Sequence, residues 1–457
     1  MLRTRVHTRL AVCGLIIATM MLPLTAVAEE DDGMHGDKYA SVDAKRLADF
    51  QSTAVSNANP DSNAPSSFAP CIRGMAAGTF PCDGIDMLSF VPHGELGTTF
   101  VNDMWGWTDP QTGRDYALVG AGEGTVFVDV TDAKRPDVLG ILPTTTSNNF
   151  FWRDLKVHAN HVFVVSEDSN HGMQVFDLTQ LRDWDGTYTT YSATALYTDK
   201  GRSHNIAINE DTGYAYLIGG GQDIHNCAGG LHIVDIDDPA NPVFAGCFGD
   251  NGYVHDTQCV IYEGPDTRYQ GNEICFNSNA VGAYGSPDHW LDIVDVTDKA
   301  NPVSIGRANY AFPSYSHQGW LTTDQQYFLH GDEGDEVIHG LGTTTRVWDV
   351  RDLENPHVIQ RFENDTASID HNIYTQGRYA YASNYTSGLR VYDTRDVGNG
   401  GLREVAWFDV FPEDDDPHFD GGTWSNYPYF RQKGLVAVSS MDRGLFLLQP
   451  RVGRAGN

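Results

Sequence analysis

Four histidines occupy equivalent places in a chain that repeats itself: His204, His255, His317 and His371. Each stands at the start of a short apolar segment, in the contexts SHNIAIN, VHDTQCVIY, SHQGWLTT and DHNIYTQ. Neutral imidazole binds zinc, manganese or iron through a ring nitrogen. If the repeats converge in space, these side chains form a candidate divalent-metal site.

Polar residues fill the corresponding positions in the other copies. The first position holds Asn102, Arg153 and, in the last copy, Gly421. The next position holds Asp103, Asp154, Asn205, Asp256, Gln318 and Asn372. A carboxylate beside a metal-bound ligand can act as a general base. Asp154 and Asp256 are therefore the candidate catalytic residues.

The same recurrence has a structural interpretation. A repeat copies its packing residues, and a buried polar side chain needs a hydrogen-bond partner, which the neighbouring repeat can supply. Arg153, Asn102 and Gly421 break the histidine pattern, which a purely structural position need not do. Both interpretations of the histidines remain open at this point.

The elements that position these residues are defined by a repeated phrase. Residues 231–243 read LHIVDIDDPANPV and residues 291–303 read LDIVDVTDKANPV, with looser copies at 126–138, 345–358 and 389–396. A short run rich in Val and Ile without helical spacing predicts a buried strand. The Asp that follows suits a strand end, where its carboxylate accepts turn amides, and Asn-Pro then forces a turn.

Each phrase follows two further strand-like segments and precedes a shorter one, which makes four strands per unit and seven units. Such a series predicts an all-β fold, a seven-bladed β-propeller of four-stranded antiparallel blades over residues 71–450. The seventh unit ends after three strands. We expect residues 85–92, within IDMLSFVPHGEL, to close that blade as its outermost strand.

Innermost strands line the channel of a propeller, so the recurrent polar positions are predicted to ring its mouth. Acidic loops are expected on the same face: Glu123, Glu167-Asp168, Asp223 with His225, residues 332–336 and residues 412–422. Imidazole below carboxylates is suited to a divalent cation. No GxSxG elbow, HExxH pair, P-loop or complete EF-hand loop occurs in the chain.

The phrases IVDIDDPANPV and IVDVTDKANPV, with RSHNIAIN, VHDTQCVIYEGPD and DHNIYTQGRYAYASNYTSGLRVYD, resemble the LVIVD-repeat family. Over about residues 68–450 the chain is similar to the secreted choice-of-anchor B group that carries these repeats. This resemblance implies a surface or secreted propeller of undetermined activity. The chain ends RVGRAGN, which departs from the C-terminal sorting signals of that group, so no anchor is expected.

Residues 1–28 are predicted to be a secretory signal peptide, with Arg3, Arg5 and Arg9 before an apolar stretch and Ala26-Val27-Ala28 at the cleavage site. Residues 29–70 are interpreted as a polar linker with one short helix, and 451–457 as a tail. The predicted location is secreted or periplasmic, with no membrane span after cleavage.

Six cysteines remain beyond the signal segment, an even number in an export context. We expect three sequence-local disulfides: Cys71–Cys82, Cys227–Cys247 and Cys259–Cys275.

The formal net charge of −31 excludes a basic nucleic-acid surface and is typical of a solvated acidic protein. The favoured function is a binding or scaffold protein, monomeric, which takes an unknown ligand or protein at the channel mouth. The alternative is a metal-dependent hydrolase or lyase built on the histidines, with a divalent metal ion as cofactor. A cell-surface adhesion module is the third hypothesis.

Overall fold

The computed structural model describes residues 67–146, 152–282, 284–432 and 434–452. These residues form seven sheets, each with at least four antiparallel strands. The innermost strand of every sheet contacts the innermost strands of its two neighbours, and the seventh contacts the first. The protein is therefore a closed seven-bladed β-propeller, which confirms the predicted fold.

The blades are numbered in chain order, and the strands of each are given from the channel outwards. Blade 1 comprises Val101–Thr108, Asp115–Ala121, Gly124–Asp129 and Asp137–Pro143; blade 2 comprises Arg153–His158, His161–Ser166, Met173–Asp177 and Ala195–Tyr197. Blade 3 comprises Asn205–Asn209, Tyr214–Ile218, Leu231–Asp235 and Val243–Phe248; blade 4 comprises Val254–Ile261, Glu273–Ala280, His289–Asp295 and Val303–Ala308.

Blade 5 comprises Ser316–Leu321, Tyr327–Asp332, Thr344–Asp349 and His357–Glu363; blade 6 comprises Asn372–Gln376, Tyr379–Asn384, Gly388–Asp393 and Arg403–Phe408. Blade 7 comprises Thr423–Tyr427, Val436–Ser440, Gly444–Pro450 and Ile85–Pro92. Helical segments are short: the α-helices His93–Leu96 and Asp335–His339, and the 3-10 helices Leu178–Asp183 and Val397–Asn399.

The repeated phrase forms the third strand of the blades. Leu231, Ile233 and Val234 are fully buried in blade 3, because a blade packs against a neighbour on both faces. The Asp that ends the strand accepts a hydrogen bond from the amide two residues later. The N–O distances are 3.1 Å at Asp235 and 3.0 Å at Asp295. This is the turn role that the sequence predicted for it.

The N-terminal strand closes the ring. Ile85–Pro92 pairs antiparallel with Gly444–Pro450, from Ile85 opposite Pro450 to Pro92 opposite Gly444. Phe90 packs on Phe446 with ring centroids 4.5 Å apart. The last blade is thus completed by the start of the fold, as predicted, and its edge strand is paired rather than exposed.

Two additions to the blades were not predicted. Met75–Ala76 and Phe80–Asp83 extend blade 6 outwards, with Cys82 opposite Phe408. Thr189–Thr190 pairs parallel with the outer strand of blade 1. These segments are too short and too irregular to carry a strand pattern of their own.

The described cysteines form disulfides in the predicted pairs: Cys71–Cys82, Cys227–Cys247 and Cys259–Cys275. They fit an extracellular or periplasmic protein, because such bonds persist in oxidising compartments. Across the described residues, no helix has the length and apolar composition required to cross a membrane. The predicted signal peptide lies outside the described residues, as do residues 29–66 of the predicted linker and residues 453–457 of the predicted tail. Within the described part of the chain, the first bridge pairs Ala69 with Met87.

Candidate metal centre at the channel mouth

The four histidines of blades 3 to 6 lie side by side at one end of the channel. The ring centroids of His204 and His255 are 4.3 Å apart, those of His255 and His317 4.2 Å, and those of His317 and His371 4.3 Å. The chain separates each pair by more than fifty residues, so only the ring of blades brings them into contact. They form a continuous row of imidazoles, which we call the histidine row.

Hydrogen bonds between blades orient two of the imidazoles. Nδ1 of His255 donates to the carbonyl of His317 at 2.8 Å, and Nδ1 of His371 donates to the carbonyl of Trp424 at 2.5 Å. These bonds link blade 4 to blade 5 and blade 6 to blade 7, as the structural interpretation expects. A proton on Nδ1 also leaves the ring lone pair on Nε2, which is the atom that binds a metal.

A carboxylate faces the histidine row from the loop after the second strand of blade 5. Oε2 of Glu333 lies 3.8 Å from Nε2 of His317, and Oε1 lies 3.7 Å from Nε2 of His371. The hydroxyl of Tyr385 donates to Oε1 at 2.6 Å, and that of Tyr284 donates to Oε2 at 2.9 Å. Two tyrosines from different blades therefore fix the orientation of this carboxylate.

The ligand atoms of His255, His317 and Glu333 all lie within 4.8 Å of one another. Two ligands at about 2.1 Å from one ion are about 3 to 4 Å apart. The distances from Glu333 to Nε2 of His317 and of His371, 3.8 and 3.7 Å, fall in this range. Two imidazoles and one carboxylate suit zinc, manganese or iron.

Two histidines of the row differ in how readily they are protonated. Burial, and then the neighbouring imidazoles of His255 and His371, keep the pKa of His317 well below its usual value. Burial also acts to lower the pKa of His204, but the hydrogen bond to Glu167 and its charge outweigh burial, and that pKa is raised. Nδ1 of His204 lies 2.5 Å from Oε1 of Glu167. His317 is thus neutral and able to bind a metal, whereas His204 retains its proton more firmly.

The non-histidine members of the ring have other partners. Arg153 is buried, and its Nε donates to the carbonyl of Ala121 at 3.0 Å. Its Nη1 donates to Nε2 of His171 at 2.9 Å. The predicted place of Gly421 in the ring is wrong: Trp424 holds this position in blade 7, because its carbonyl accepts from Nδ1 of His371 as that of His317 accepts from Nδ1 of His255. The row therefore ends at blades 3 and 6, and Asn102 is buried in blade 1.

The predicted catalytic carboxylates lie in the layer that follows the histidines. Oδ1 of Asp154 accepts from Nζ of Lys156 at 2.6 Å, and its Oδ2 accepts from the amide of Ile206 at 2.8 Å. Burial raises the pKa of Asp256 to about 8, although Lys156 opposes the shift. Asp256 is therefore protonated near pH 7 and would donate a proton. A base role for either residue stays a prediction.

The amide side chains of this layer connect neighbouring blades. Nδ2 of Asn205 donates to the carbonyl of His255 at 3.0 Å. Gln318 pairs with the backbone of Ile373, through bonds of 3.1 and 2.9 Å. Nδ2 of Asn372 in blade 6 lies 3.4 Å from Oδ2 of Asp103 in blade 1, so this contact spans two blades that are not adjacent. These positions serve blade packing, which agrees with the structural interpretation of the repeat.

Sequence reasoning placed Glu333 only in an acidic loop and did not single out the tyrosines around the row. The ring centroid of His371 lies 4.9 Å from that of Tyr385 and 4.7 Å from that of Trp424. Tyr315 lies 5.2 Å from His255 and stacks on Tyr284 at 4.4 Å. Tyr284, Tyr315 and Tyr385 come from loops and strand ends without a common motif, so no sequence signal singled them out.

No family model matches this chain, and no curated protein matches it significantly. Among solved structures, the β-propeller domain of Cps50 (Swd1) from Myceliophteria thermophila aligns with 12% identity and a TM-score of 0.46, covering 73% of this chain and 93% of its own. Hydrazine synthase from Kuenenia stuttgartiensis aligns with 13% identity and a TM-score of 0.48, and the alignment covers 71% of this chain and 88% of the synthase chain. The WD40 repeats of RRP9 align with 8% identity and a TM-score of 0.48, covering 77% and 94%. These similarities concern the fold alone.

Proposed function

We propose that this chain is an exported propeller of the LVIVD-repeat, choice-of-anchor B type that binds a transition-metal ion at its channel mouth. His255, His317 and Glu333 hold the ion, His371 is the fourth candidate ligand, and His204 flanks them. The observation that carries the proposal is the position of the Glu333 carboxylate, 3.8 and 3.7 Å from Nε2 of two histidines.

The surroundings of the ligands support this function. Metal-binding histidines usually donate their other ring nitrogen to a carbonyl or carboxylate, which fixes the ring and strengthens its lone pair. His255, His371 and His204 each have such a partner for Nδ1. A structural role for Nδ1 and a metal-binding role for Nε2 are therefore compatible in the same side chain.

An ion at this place would act as a Lewis acid on a small ligand bound at the mouth. The aromatic side chains of Tyr315, Tyr385 and Trp424 would supply apolar contact area for that ligand. The reaction class that fits such a site is a metal-dependent hydrolysis or elimination. The fold itself is also consistent with a binding or scaffold role, which is the second candidate.

The experiment is metal analysis by mass spectrometry of the purified protein, after incubation with zinc, manganese or iron(II) and gel filtration. We expect about one ion per chain in the wild type. His317→Ala and Glu333→Gln should lower the content at least tenfold, because each removes one ligand of a small set.

His357→Ala is the matched control, because His357 is exposed on the outer strand of blade 5. It should leave the metal content unchanged. Circular dichroism would verify that each variant is folded. A wild-type protein that retains none of the three metals would overturn the metal centre and leave the binding or scaffold role.

A further inference from the structure

A second cluster of possible ligands lies beside the histidine row, and its chemistry is different. Asp335, Glu336 and Asp370 each offer a carboxylate oxygen, and these oxygens lie within 4.8 Å of one another. The residues are 0%, 2% and 4% exposed. The cluster contains no imidazole and no thiol, so its donors are all hard oxygens.

Each of the three carboxylates has an oxygen with no hydrogen-bond partner among the residues that the structure describes: Oδ1 of Asp335, Oε2 of Glu336 and Oδ1 of Asp370. The other oxygens of the first two are used. Oδ2 of Asp335 pairs with Arg346, and Oε1 of Glu336 accepts from the amide of Thr344 at 3.1 Å. Buried polar atoms without partners are rare in folded proteins, so three in one place require either protons shared between the carboxylates or a bound cation.

A neighbouring carboxylate shows what a purely structural acid looks like in the same loop. Oδ2 of Asp332 accepts from the hydroxyl of Tyr310 at 2.6 Å and the amide of Ser314 at 2.8 Å. Its Oδ1 accepts from the amides of Tyr315 and Gly334 at 2.7 and 3.1 Å. Asp332 is therefore fully satisfied by the protein, in contrast to the three carboxylates of the cluster.

The nearby charge also points to a cation. Arg346 is the guanidinium that pairs with the cluster, and it serves Asp335. The carboxylates of Glu336 and Asp370 have no ion-pair partner among the described residues. An unpaired buried carboxylate is costly, and a divalent ion offsets two such charges at once.

The fold builds the cluster from two blades. Asp335 and Glu336 begin the helix Asp335–His339 after the second strand of blade 5, and Asp370 precedes the inner strand of blade 6. Gly331 makes the approach possible, because a Cβ there would lie 1.9 Å from Oδ2 of Asp370. An ion at this place would tie blade 5 to blade 6.

We propose that Asp335, Glu336 and Asp370 form a binding site for a hard divalent cation, and that the cation is calcium. Calcium takes six to eight oxygen ligands, among them carboxylates, carbonyls and water, in flexible geometry. The site is distinct from the histidine row in its donor atoms and does not depend on the function proposed for that row. Because Glu333 and His371 adjoin its ligands in sequence, calcium would stabilise the segments that carry both.

The test is a calorimetric titration of the EDTA-treated, desalted full-length protein with calcium chloride, together with thermal unfolding. We expect one calcium ion per chain and a Tm that rises with calcium concentration, because an ion that binds only the folded state stabilises it. Terbium provides a second readout, since its luminescence on aromatic excitation should fall when calcium displaces it.

Glu336→Gln and Asp370→Asn keep the shape of the side chains and should weaken calcium binding at least tenfold. Glu363→Gln removes the same charge from an exposed residue of blade 5 and should bind as the wild type does. His317→Ala should also retain calcium, which separates this site from the histidine row.

The proposal would be overturned if, at millimolar calcium, the wild-type protein showed no heat of binding, no change in Tm and no displacement of terbium. Variants Glu336→Gln and Asp370→Asn that bind with unchanged affinity would also overturn it. If both variants fail to fold, Gly331→Ala provides another route, because it displaces the carboxylate of Asp370 without removing it. Unchanged affinity in that folded variant would equally contradict the site.

Discussion

At the scale of single residues, the two nitrogens of one imidazole face different groups in this propeller. Nδ1 of His255 and of His371 bridges to the backbone of the next blade. Nε2 of His371 faces the carboxylate of Glu333 instead. For His255 and His371, Nδ1 has a packing role, and Nε2 is the nitrogen that the proposed metal site would use. The two interpretations that the sequence left open are therefore compatible, because they concern different atoms of these residues.

The tyrosine that orients Glu333 provides a test of the metal centre without removal of a ligand. Tyr385→Phe deletes the hydroxyl that donates to Oε1 at 2.6 Å. We expect metal affinity to fall about tenfold, the lower end of the range for outer-shell partners. Tyr381→Phe, in the same blade and also buried, is the control. Equal zinc affinities of the two variants, measured by competition with a chelator, would contradict this role for Tyr385.

Asp103 should make stability depend on pH. Burial, and then the charge of Asp154, raise its pKa from 3.8 to about 7, although Lys156 opposes the shift. In the unfolded chain the carboxyl of Asp103 ionises from about pH 4 upwards, whereas in the folded chain it ionises only near pH 7. The contribution of this residue to stability is therefore lost as the pH rises from about 4 to 7. Asp103→Asn removes that titration.

Relative to the wild type, the free energy of unfolding of Asp103→Asn should therefore increase by about 3 kcal/mol between about pH 4.5 and 8. Urea unfolding at several pH values measures the difference. Asp238→Asn, at an exposed turn, should show no such trend. A difference that stays constant with pH would show that Asp103 ionises normally in the folded protein.

At the scale of elements, the strand Ile85–Pro92 decides whether the ring is closed. It buries five apolar side chains in blade 7: Ile85, Met87, Leu88, Phe90 and Val91. At about 2 kcal/mol for each, burial contributes about 10 kcal/mol, which is comparable to the stability of a whole domain. One short strand therefore carries enough free energy to determine whether the propeller folds.

A chain that begins at Gly97 should not fold, whereas a chain that begins at Ser67 should. The first lacks the partner of Gly444–Pro450 and exposes that strand as an edge. Circular dichroism and gel filtration of the two proteins after refolding test this expectation. A monomeric, cooperatively unfolding product from the shorter chain would show that closure is dispensable.

Disulfide bonds attach segments that the hydrogen bonds of the sheets do not hold on their own. Cys71–Cys82 holds the segment outside blade 6, and Cys227–Cys247 ties a long loop to the outer strand of blade 3. Removing the 11-residue bridge by Cys71→Ser with Cys82→Ser should cost up to about 3 kcal/mol, because the unfolded chain regains loop freedom.

Denaturant unfolding of that double variant gives the loss of stability, and a non-reduced digest of the wild type gives the pairing. The peptide that contains Cys259 should be linked to that of Cys275. A bridge from Cys259 to Cys247 would contradict both the prediction and the structure.

At the scale of the whole molecule, the excess of acidic residues sets the response to salt. The sequence has 61 Asp and Glu against 30 Lys and Arg, for a net charge of −31. Salt weakens exposed ion pairs, such as those of Arg268 with Asp352 and Glu354. It also screens repulsion over the whole surface, and exposed pairs are each worth little.

The screening of repulsion should therefore outweigh the loss of exposed ion pairs. The Tm should rise by several degrees between about 10 mM and 1 M sodium chloride. Thermal unfolding should be measured in the presence of EDTA, so that calcium binding does not contribute. A parallel series in sodium sulfate should accompany it. A Tm that falls with sodium chloride would mean that specific ion pairs outweigh the net charge.

Part of the site could be predicted from the sequence. Because the four histidines stand at the same position of a repeated unit, a closed ring of blades has to bring them to one end. The acidic loop at 332–336 was expected on that face for the same reason. Glu333 could not be told apart from Asp332 or Asp335, since neighbouring carboxylates differ only in which way a loop turns them.

The chain by itself determined the number of blades, the strand that closes the ring and the pairs of cysteines, because each is a property of spacing along a repeat. The tertiary structure alone decided which oxygen of Glu333 faces Nε2 of His317, which tyrosines hold that carboxylate, and which three carboxylates each keep one oxygen without a hydrogen-bond partner among the described residues. The physical reason is that periodicity specifies where a residue enters the fold, whereas contacts at a channel mouth depend on loops from several blades that share no period.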